Sequence, residues 1–340
     1  LGCRNIINNS SLFELEKRQT MDNRDLLRAT AGHDVKSIEN RKALAQVLQD
    51  VWKKGVMEPG TIDEVFSRIS VEPGVDAKFP LDFFAPADGD GDEFSAVTIP
   101  SEGAIPNKVI DGDEVHVPTY KIANSISWNL EYARDARWDV IARAIEVFSN
   151  GFVRKMNDDG WHTVLASAGA TQTRDTAAAA GSFTKALVTE MQVAMKRQAG
   201  GRDSRLTDLF LSPEAIADIR KFDGDIIDEG TLRSLLNHDG EEPLPSLYGV
   251  RLHELLELGA GQELTTYYTG TLGQTIGGSD LEICIGLDLG NRDSFVMPIR
   301  EDMQMFDDPT LHRSGQAGVY GWMELGFAVL DTRRVILGSF

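Results

Sequence analysis

The chain of 340 residues carries 53 Asp and Glu against 34 Lys and Arg, a formal net charge of -19. That balance opposes gripping nucleic acid, where affinity comes from Lys and Arg displacing counterions from phosphates. The length exceeds the size at which a single core stops growing, so two lobes are expected, and no run approaches the roughly eighteen apolar residues of a membrane span.

Residues 1–60 read as an arm and a helix. The first 36 are polar with little sustained period; Leu44, Val47, Leu48, Val51 and Trp52 then fall on one helix face, with Gly55 as a stop. A connecting segment, 61–78, holds a short helix over about 63–69. Residues 79–114 read as an extended loop, strand-like at 94–99 but cut by Pro80, Pro86, Pro100 and Pro106. Between 79 and 116 nine acids (Asp82, Asp88, Asp90, Asp92, Glu93, Glu102, Asp111, Asp113, Glu114) stand against Lys108 alone. A long loop without its own core is a functional or binding arm, and this one must face solvent, ions or basic partners.

The run 115–122 reads as a strand with Pro118 near its start, followed by strand character at 126–128. A long helix spans 138–165. Trp138, Ile141, Ile145, Phe148, Phe152 and Met156 recur at spacings of three and four, one stripe down one face. At 1.5 Å per residue it would run roughly 42 Å, more than twice the globular average of about 11–12 residues. Gly151 and Gly160 inside it each cost about 1 kcal/mol relative to alanine and mark a bend or a close packing contact. Arg134, Arg137, Arg143 and Arg154 flank the stripe. They suit a solvated face on a monomer and, equally, a partner for the acidic loop in an assembly.

A small-residue linker, 168–181, follows. Ser182 or Thr184 caps a helix carrying Leu187, Val188, Met191, Ala194 and Met195, closed by Gly200-Gly201. A strand spans 206–211, and Ser212-Pro213-Glu214 supplies a cap, a first-turn proline and a dipole-matching acid for the next helix. A short helix near 230–237 precedes strands at 250–255, Tyr267-Tyr268 and 281–285. This order fits an α+β lobe. From Ser294 the chain reads as antiparallel strands (295–299, 303–306, 319–330, 335–337) that pack on the long helix, making the first and last parts one lobe with about 172–286 inserted.

The local motifs give no chemistry. In Asp88-Gly-Asp-Gly-Asp-Glu93, position six of a calcium loop is Glu93 where the turn needs glycine, and position twelve is Ile99 where a bidentate glutamate belongs. Ser182-Phe-Thr-Lys185 lacks the companion motifs of the acyl-transfer enzymes with that spacing and reads as a helix start. The glycines of 270–278 precede no Lys-Ser or Lys-Thr and read as a loop or sheet-edge turn. The six histidines show no ligand spacing, and Cys3 and Cys284 form no metal or redox pair, so a reducing compartment is the default. No cofactor, metal or catalytic residue is expected.

With these segments in order, the chain resembles a tailed-bacteriophage major capsid protein of the Hong Kong 97-type fold. The resemblance covers roughly 60–340. It rests on the arm, the extended loop, the turn Glu131-Tyr-Ala-Arg-Asp135 into the long helix, the inserted lobe with Leu209-Phe-Leu-Ser-Pro-Glu-Ala-Ile216 and Leu247-Tyr-Gly-Val-Arg251, and closing strands through Asp331-Thr-Arg-Arg334. It implies an α+β fold with an N-terminal arm, a two-stranded extended loop (79–114), a peripheral domain (115–171 and 287–340) with spine helix 138–165, and an axial domain (172–286). It also implies a structural protein, not an enzyme. Such a protein self-assembles into hexamers and pentamers of an icosahedral head around double-stranded DNA, in the host cytoplasm, with scaffolding, portal, maturation-protease and decoration proteins as further partners. Inter-subunit contacts are then expected at Asp88, Asp90, Asp92, Glu93, Glu102, Lys108, Asp111, Arg134, Arg137, Arg143 and Arg154. Some relatives crosslink a loop lysine to a neighbour; no motif here fixes a partner for Lys108, so no crosslink is expected. Two alternatives are an encapsulin-like compartment shell and a soluble two-domain enzyme, the latter requiring a convergent pocket.

Overall fold

A computed structural model describes residues 61–72, 74–80, 114–129, 131, 138–169, 171–198, 204–222, 246–290 and 292–340. The chain forms two compact units. The first holds the described residues of Tyr120–Met156 and Arg300–Leu325; the second holds those of Thr61–Thr119, Asn157–Ile299 and Gly326–Phe340. The arm, the helix around Leu44–Trp52, the strand-like run 94–99, the turn at 132–135 and the helix near 230–237 lie outside the described residues.

In the first unit the strand β4 (Tyr120–Asn129) is continuous, where the sequence read two pieces; it pairs antiparallel along its whole length with β11 (Gln316–Leu325). The other neighbour of β11 is β10 (Phe295–Asp307), also one strand where two were expected. One face of this sheet is apolar and buried: Ile122, Trp128, Met303, Met305, Ala317, Val319, Met323 and Leu325. The helix α2 (Trp138–Ala168) is unbroken over 31 residues, about 46 Å. Its stripe is buried at Ile145, Phe148, Phe152 and Met156, with Phe148 and Phe152 edge-to-face at 5.2 Å. At Gly151 the helix continues without a break, and a Cβ there would sit 3.1 Å from the Asn124 side chain on β4.

In the second unit the last turns of α2 continue the same period through Trp161, Val164, Leu165 and Ala168, all buried. That continuation carries the helix three residues past the expected Leu165. Gly169 then stops it, its φ of +56 being open to glycine without a Cβ penalty. Gly160 is where the short helix α1 (Thr61–Val65) lies closest, for a Cβ there would fall 2.3 Å from Ile62. Asn157 accepts from the Ile62 amide (3.4 Å), and Trp161 donates to Thr61 (3.3 Å). The helix read over 63–69 ends early because β1 (Ser67–Ser70) takes over, alternating half-buried and exposed and pairing parallel with Val296–Ile299 of β10. Once a partner strand satisfies its backbone, this four-residue run takes the strand period. The antiparallel pair β2 (Lys78–Pro80) and β3 (Glu114–His116) forms the foot of the acidic loop.

A mixed six-stranded sheet forms the rest of the second unit, in the order β5 (Gln172–Arg174), β13 (Val335–Ser339), β9 (Ile283–Leu287), β6 (Asp208–Leu211), β8 (Val250–Glu254), β7 (Ser246–Leu247). Its central strands β6, β9 and β13 are buried at every residue. Helix α3 (Lys185–Gln198) buries Leu187, Val188, Met191 and Met195 in the same core as α4 (Pro213–Ile219). The predicted cap of α4 is observed: the Ser212 hydroxyl accepts from the Ala215 amide at 3.1 Å, with Pro213 in the first turn.

Three expectations change here. The linker 168–181 contains β5, which pairs parallel with β13. Tyr267-Tyr268 is not a strand: the helical turn Glu263–Thr266 runs into a π-helical turn, Tyr267–Thr271. Adjacent aromatics favour a strand in isolation, but Tyr268 is buried with its hydroxyl donating to Gly169 (3.1 Å), while Tyr267 stacks on His162 at 3.7 Å. Two neighbours reaching the same side of the chain need helical backbone, not the opposite faces of a strand. Finally, the run 319–330 is not one strand, since β11 ends at Leu325 and a separate short strand, β12 (Ala328–Val329), pairs with β10, while β13 pairs with β9 and β5.

Candidate assembly surfaces

Of the anticipated contact residues, Arg143 and Arg154 fall within the described residues, and both are exposed on α2. Arg143 pairs with Glu146 one turn on at 2.6 Å, the two side chains 71% and 55% exposed. Asp88, Asp90, Asp92, Glu93, Glu102, Lys108, Asp111, Arg134 and Arg137 lie outside the described residues, as does the run tested as a calcium loop. At the loop's foot Lys78 faces Glu114 at 3.6 Å and His116 faces Asp76 at 3.5 Å, all four side chains more than half exposed. Solvent weakens such pairs to about 0–1 kcal/mol each, so they leave these charges available to a partner.

The β10–β11–β4 sheet has a second face that sequence reading missed. Phe306, Tyr320 and Trp322 stack on one another with ring centroids 4.7 to 5.7 Å apart. Lys121 lies 6.0 Å over the Trp322 ring and bonds Glu301 at 3.1 Å; Glu301 also accepts from the Trp322 indole, and Arg300 pairs with Glu324 at 3.1 Å. The signal was present as Tyr320 and Trp322 alternating with buried Val319 and Met323. Around 319–323 large apolar side chains fall on both faces, which hides the period there.

Three buried carboxylates of the second unit, Asp208, Asp288 and Glu282, have structural partners. Burial alone would raise the Asp208 carboxyl. Hydrogen bonds from His253 (2.8 Å), Thr207 (2.7 Å) and Arg251 (2.7 Å), with the Arg251 charge, instead hold it below its ordinary value. His253 stacks on Phe210 at 4.5 Å and turns its other ring nitrogen toward Glu64 at 3.5 Å. Asp288 receives Arg334 (2.6 Å) and Ser204 (3.1 Å). Burial pushes Glu282 above its usual range, with Glu214 and Asp218 adding to the shift and the Ser212 hydroxyl (2.8 Å) opposing it.

None of these arrangements is built for catalysis. The Cys284 thiol is pushed by burial up to about 12, which keeps it protonated and unreactive. Ser182 precedes the first residue of α3 by three positions, so it does not share a helix with exposed Lys185. The glycines of 270–278 border an open groove of about 480 Å³ lined by Thr265, Thr266, Thr269, Gln274, Thr275 and Asp280, with no nucleophile–base pair. Among the described residues no group of three or more His, Cys, Asp or Glu is arranged to hold a metal ion, and no helix is long and apolar enough to cross a membrane.

Comparison with known proteins decides what the fold is for. A family model described as phage capsid protein matches residues 112–335, well over half of the chain. The chain belongs to the phage capsid protein family. No curated relative matches it significantly. Solved structures agree on the fold at low identity. A chain from Microbacterium phage Oxtober96 superposes with a TM-score of 0.53 at 13% identity, over 84% of this chain and 92% of that one. The mature capsid of bacteriophage PhiM1 gives 0.52 at 8% identity over 83% and 87%, and the capsid of cyanophage P-SCSP1u gives 0.52 at 12% over 83% and 88%. The fold is the α+β Hong Kong 97-type capsid fold, as the order of segments implied. This capsid protein is a structural component of the virion shell, not an enzyme.

Proposed function

We propose that this capsid protein assembles as hexamers and pentamers that close into an icosahedral head around double-stranded DNA, within the host cytoplasm. The family match over residues 112–335 carries the reading. A net charge of -19 suits a wall that encloses DNA without holding its phosphates. Scaffolding, portal, maturation-protease and decoration proteins are its further partners. In this reading 115–171 and 287–340 serve as the peripheral domain and 172–286 as the axial domain, except that 335–340 moves to the axial side. The pairing of β13 with β9 supports assigning that last strand to the axial side. The acidic loop lies across a neighbour, where Arg134, Arg137, Arg143 and Arg154 are its first candidate counterparts.

Closed shells arise from many modest contacts that act together, so losing one repeated contact abolishes closure without unfolding the subunit. Deleting residues 87–108 is expected to leave a folded protein that forms no stable closed particles in negative-stain images. Normal particles from the deletion would overturn the role given to the loop. Persistent wild-type monomers, with and without scaffold, would overturn the shell reading as a whole. Purified particles carrying host or phage enzymes instead of DNA would favour the compartment alternative.

A further inference from the structure

Strand β4 ends its sheet: among the described residues β11 pairs with it on one side and no strand lies on the other. The phase of its backbone is read from its partner strand: Gly318, opposite Ser127, turns its carbonyl away from β4 to accept from the Asp308 amide. The Ser125 amide, in the same phase as Ser127, donates to the side-chain oxygen of Asn124 at 2.9 Å. Alternation then turns the N–H and C=O groups of Lys121, Ala123, Ser125, Ser127 and Asn129 away from the ladder. These five residues are exposed. A long edge of this kind is a template for another strand, and proteins that must stay monomeric blunt it with charges, prolines, bulges or short length. β4 has no proline, no bulge and no short length. It runs ten residues in unbroken register, with Lys121 as its one charge and no proline.

The charge pattern names the occupant. Copies of a chain with net charge -19 repel one another, so they meet where acids are absent. From Val117 to Leu130 the sequence holds no Asp or Glu. The acids beside this edge, Glu301 and Glu324, are already engaged by Lys121 and Arg300. We propose that the outer edge of β4 is a pairing edge for a second copy of this chain, which extends the sheet by main-chain hydrogen bonds. The proposal rests on the shell reading and assigns one of its contacts to a named strand. Asn124 then acts as a placeholder, holding the Ser125 amide until the neighbour's carbonyl displaces it.

Hydrogen exchange over 120–129, in unassembled protein and in particles, tests this directly. The amides of Ala123, Ser125, Ser127 and Asn129 should exchange rapidly when unassembled and become protected in particles, while those of Ile122, Asn124 and Ile126 are protected in both. Ser125→Pro removes an outward N–H and leaves the β11 ladder intact. Its thermal melt should match wild type while particle yield falls at least about tenfold, because a weakened contact is repeated at every subunit. Should the proline disturb folding, Ser127→Lys places a charge on the same edge with no backbone demand. Protection that is equal in the two states, or wild-type particle yields from a folded edge variant, overturns the assignment of β4 and leaves the shell reading intact. Wild-type protein that forms no capsomers or particles overturns the shell reading and this contact with it.

Discussion

The two units bury their sheets in opposite ways. In the second, β6, β9 and β13 are buried at every residue, and two buried carboxylates enter its interior with partners: Asp208 with His253, Thr207 and Arg251, Asp288 with Arg334 and Ser204. In the first, the sheet buries only one face, displays stacked aromatics on the other, and ends in the uncharged run of β4 beyond Lys121. The difference teaches that a shell subunit need not be uniformly finished. The second unit builds its sheet into a closed core, while the first leaves a sheet edge and an aromatic face that another molecule can cover.

Substitutions in the second unit should strike the free subunit hardest. Phe210, fully buried between Trp161 (4.7 Å) and His253 (4.5 Å), supports both neighbours. Phe210→Ala is expected to cost about 3–5 kcal/mol in urea unfolding of unassembled protein. A cost under about 1 kcal/mol would remove the claim that this core is tightly packed. Next comes Arg334→Met, which strands the Asp288 carboxylate that Arg334 holds at 2.6 Å. Loss of one member of a buried pair is expected to cost about 3 kcal/mol, and recovery in the double variant Arg334→Met, Asp288→Leu would show that the stranded charge is the cause.

Glu282 gives a smaller effect of opposite sign. Its folded-state pKa lies above the ordinary 4.5, so its ionised form weakens the fold at neutral pH and that penalty disappears as pH falls through the raised value. Glu282→Gln should therefore melt higher than wild type at pH 7, with the gap closing as the pH approaches the ordinary value. Asp208 works the other way. Its stabilisation is complete above the ordinary 3.8 and is lost as pH falls through its lowered folded value. A constant gap between Glu282→Gln and wild type from pH 7 to 4 would show that burial of the charge is not the reason.

The smallest effect on the free subunit belongs to the first unit. Arg143→Ala removes an exposed pair with Glu146 and should change monomer stability by no more than about 0.5 kcal/mol. If the spine's basic flank meets the acidic loop of a neighbour, the same variant should lower particle yield and make assembly less sensitive to salt. A large loss in the monomer would erase the contrast between the two units.

How much could be read in advance differs along the chain for physical reasons. The stripe Ile145, Phe148, Phe152, Met156 and the cap Ser212-Pro213-Glu214 were legible because both are local: a helix period and a cap each need only a few consecutive residues. The exposed Arg143 and Arg154 follow from that stripe. β5, β1 and the π-helical turn at Tyr267 were not legible, because their backbones are set by partners far along the chain: β13, β10, and the pair Gly169 and His162. The edge of β4 escaped notice for the same reason, since an edge is defined by what is missing beside it.

By itself the sequence determined a long helix, an α+β lobe and, through the order of its segments, a resemblance to the capsid family, because periodicity and segment order survive without knowledge of contacts. The tertiary structure alone decided which strands share a sheet, that Gly160 serves close packing against Ile62, and that β4 ends its sheet among the described residues. Those features are relations between distant residues, and the free energies that select them come from packing and hydrogen bonds that exist only once the chain has closed on itself.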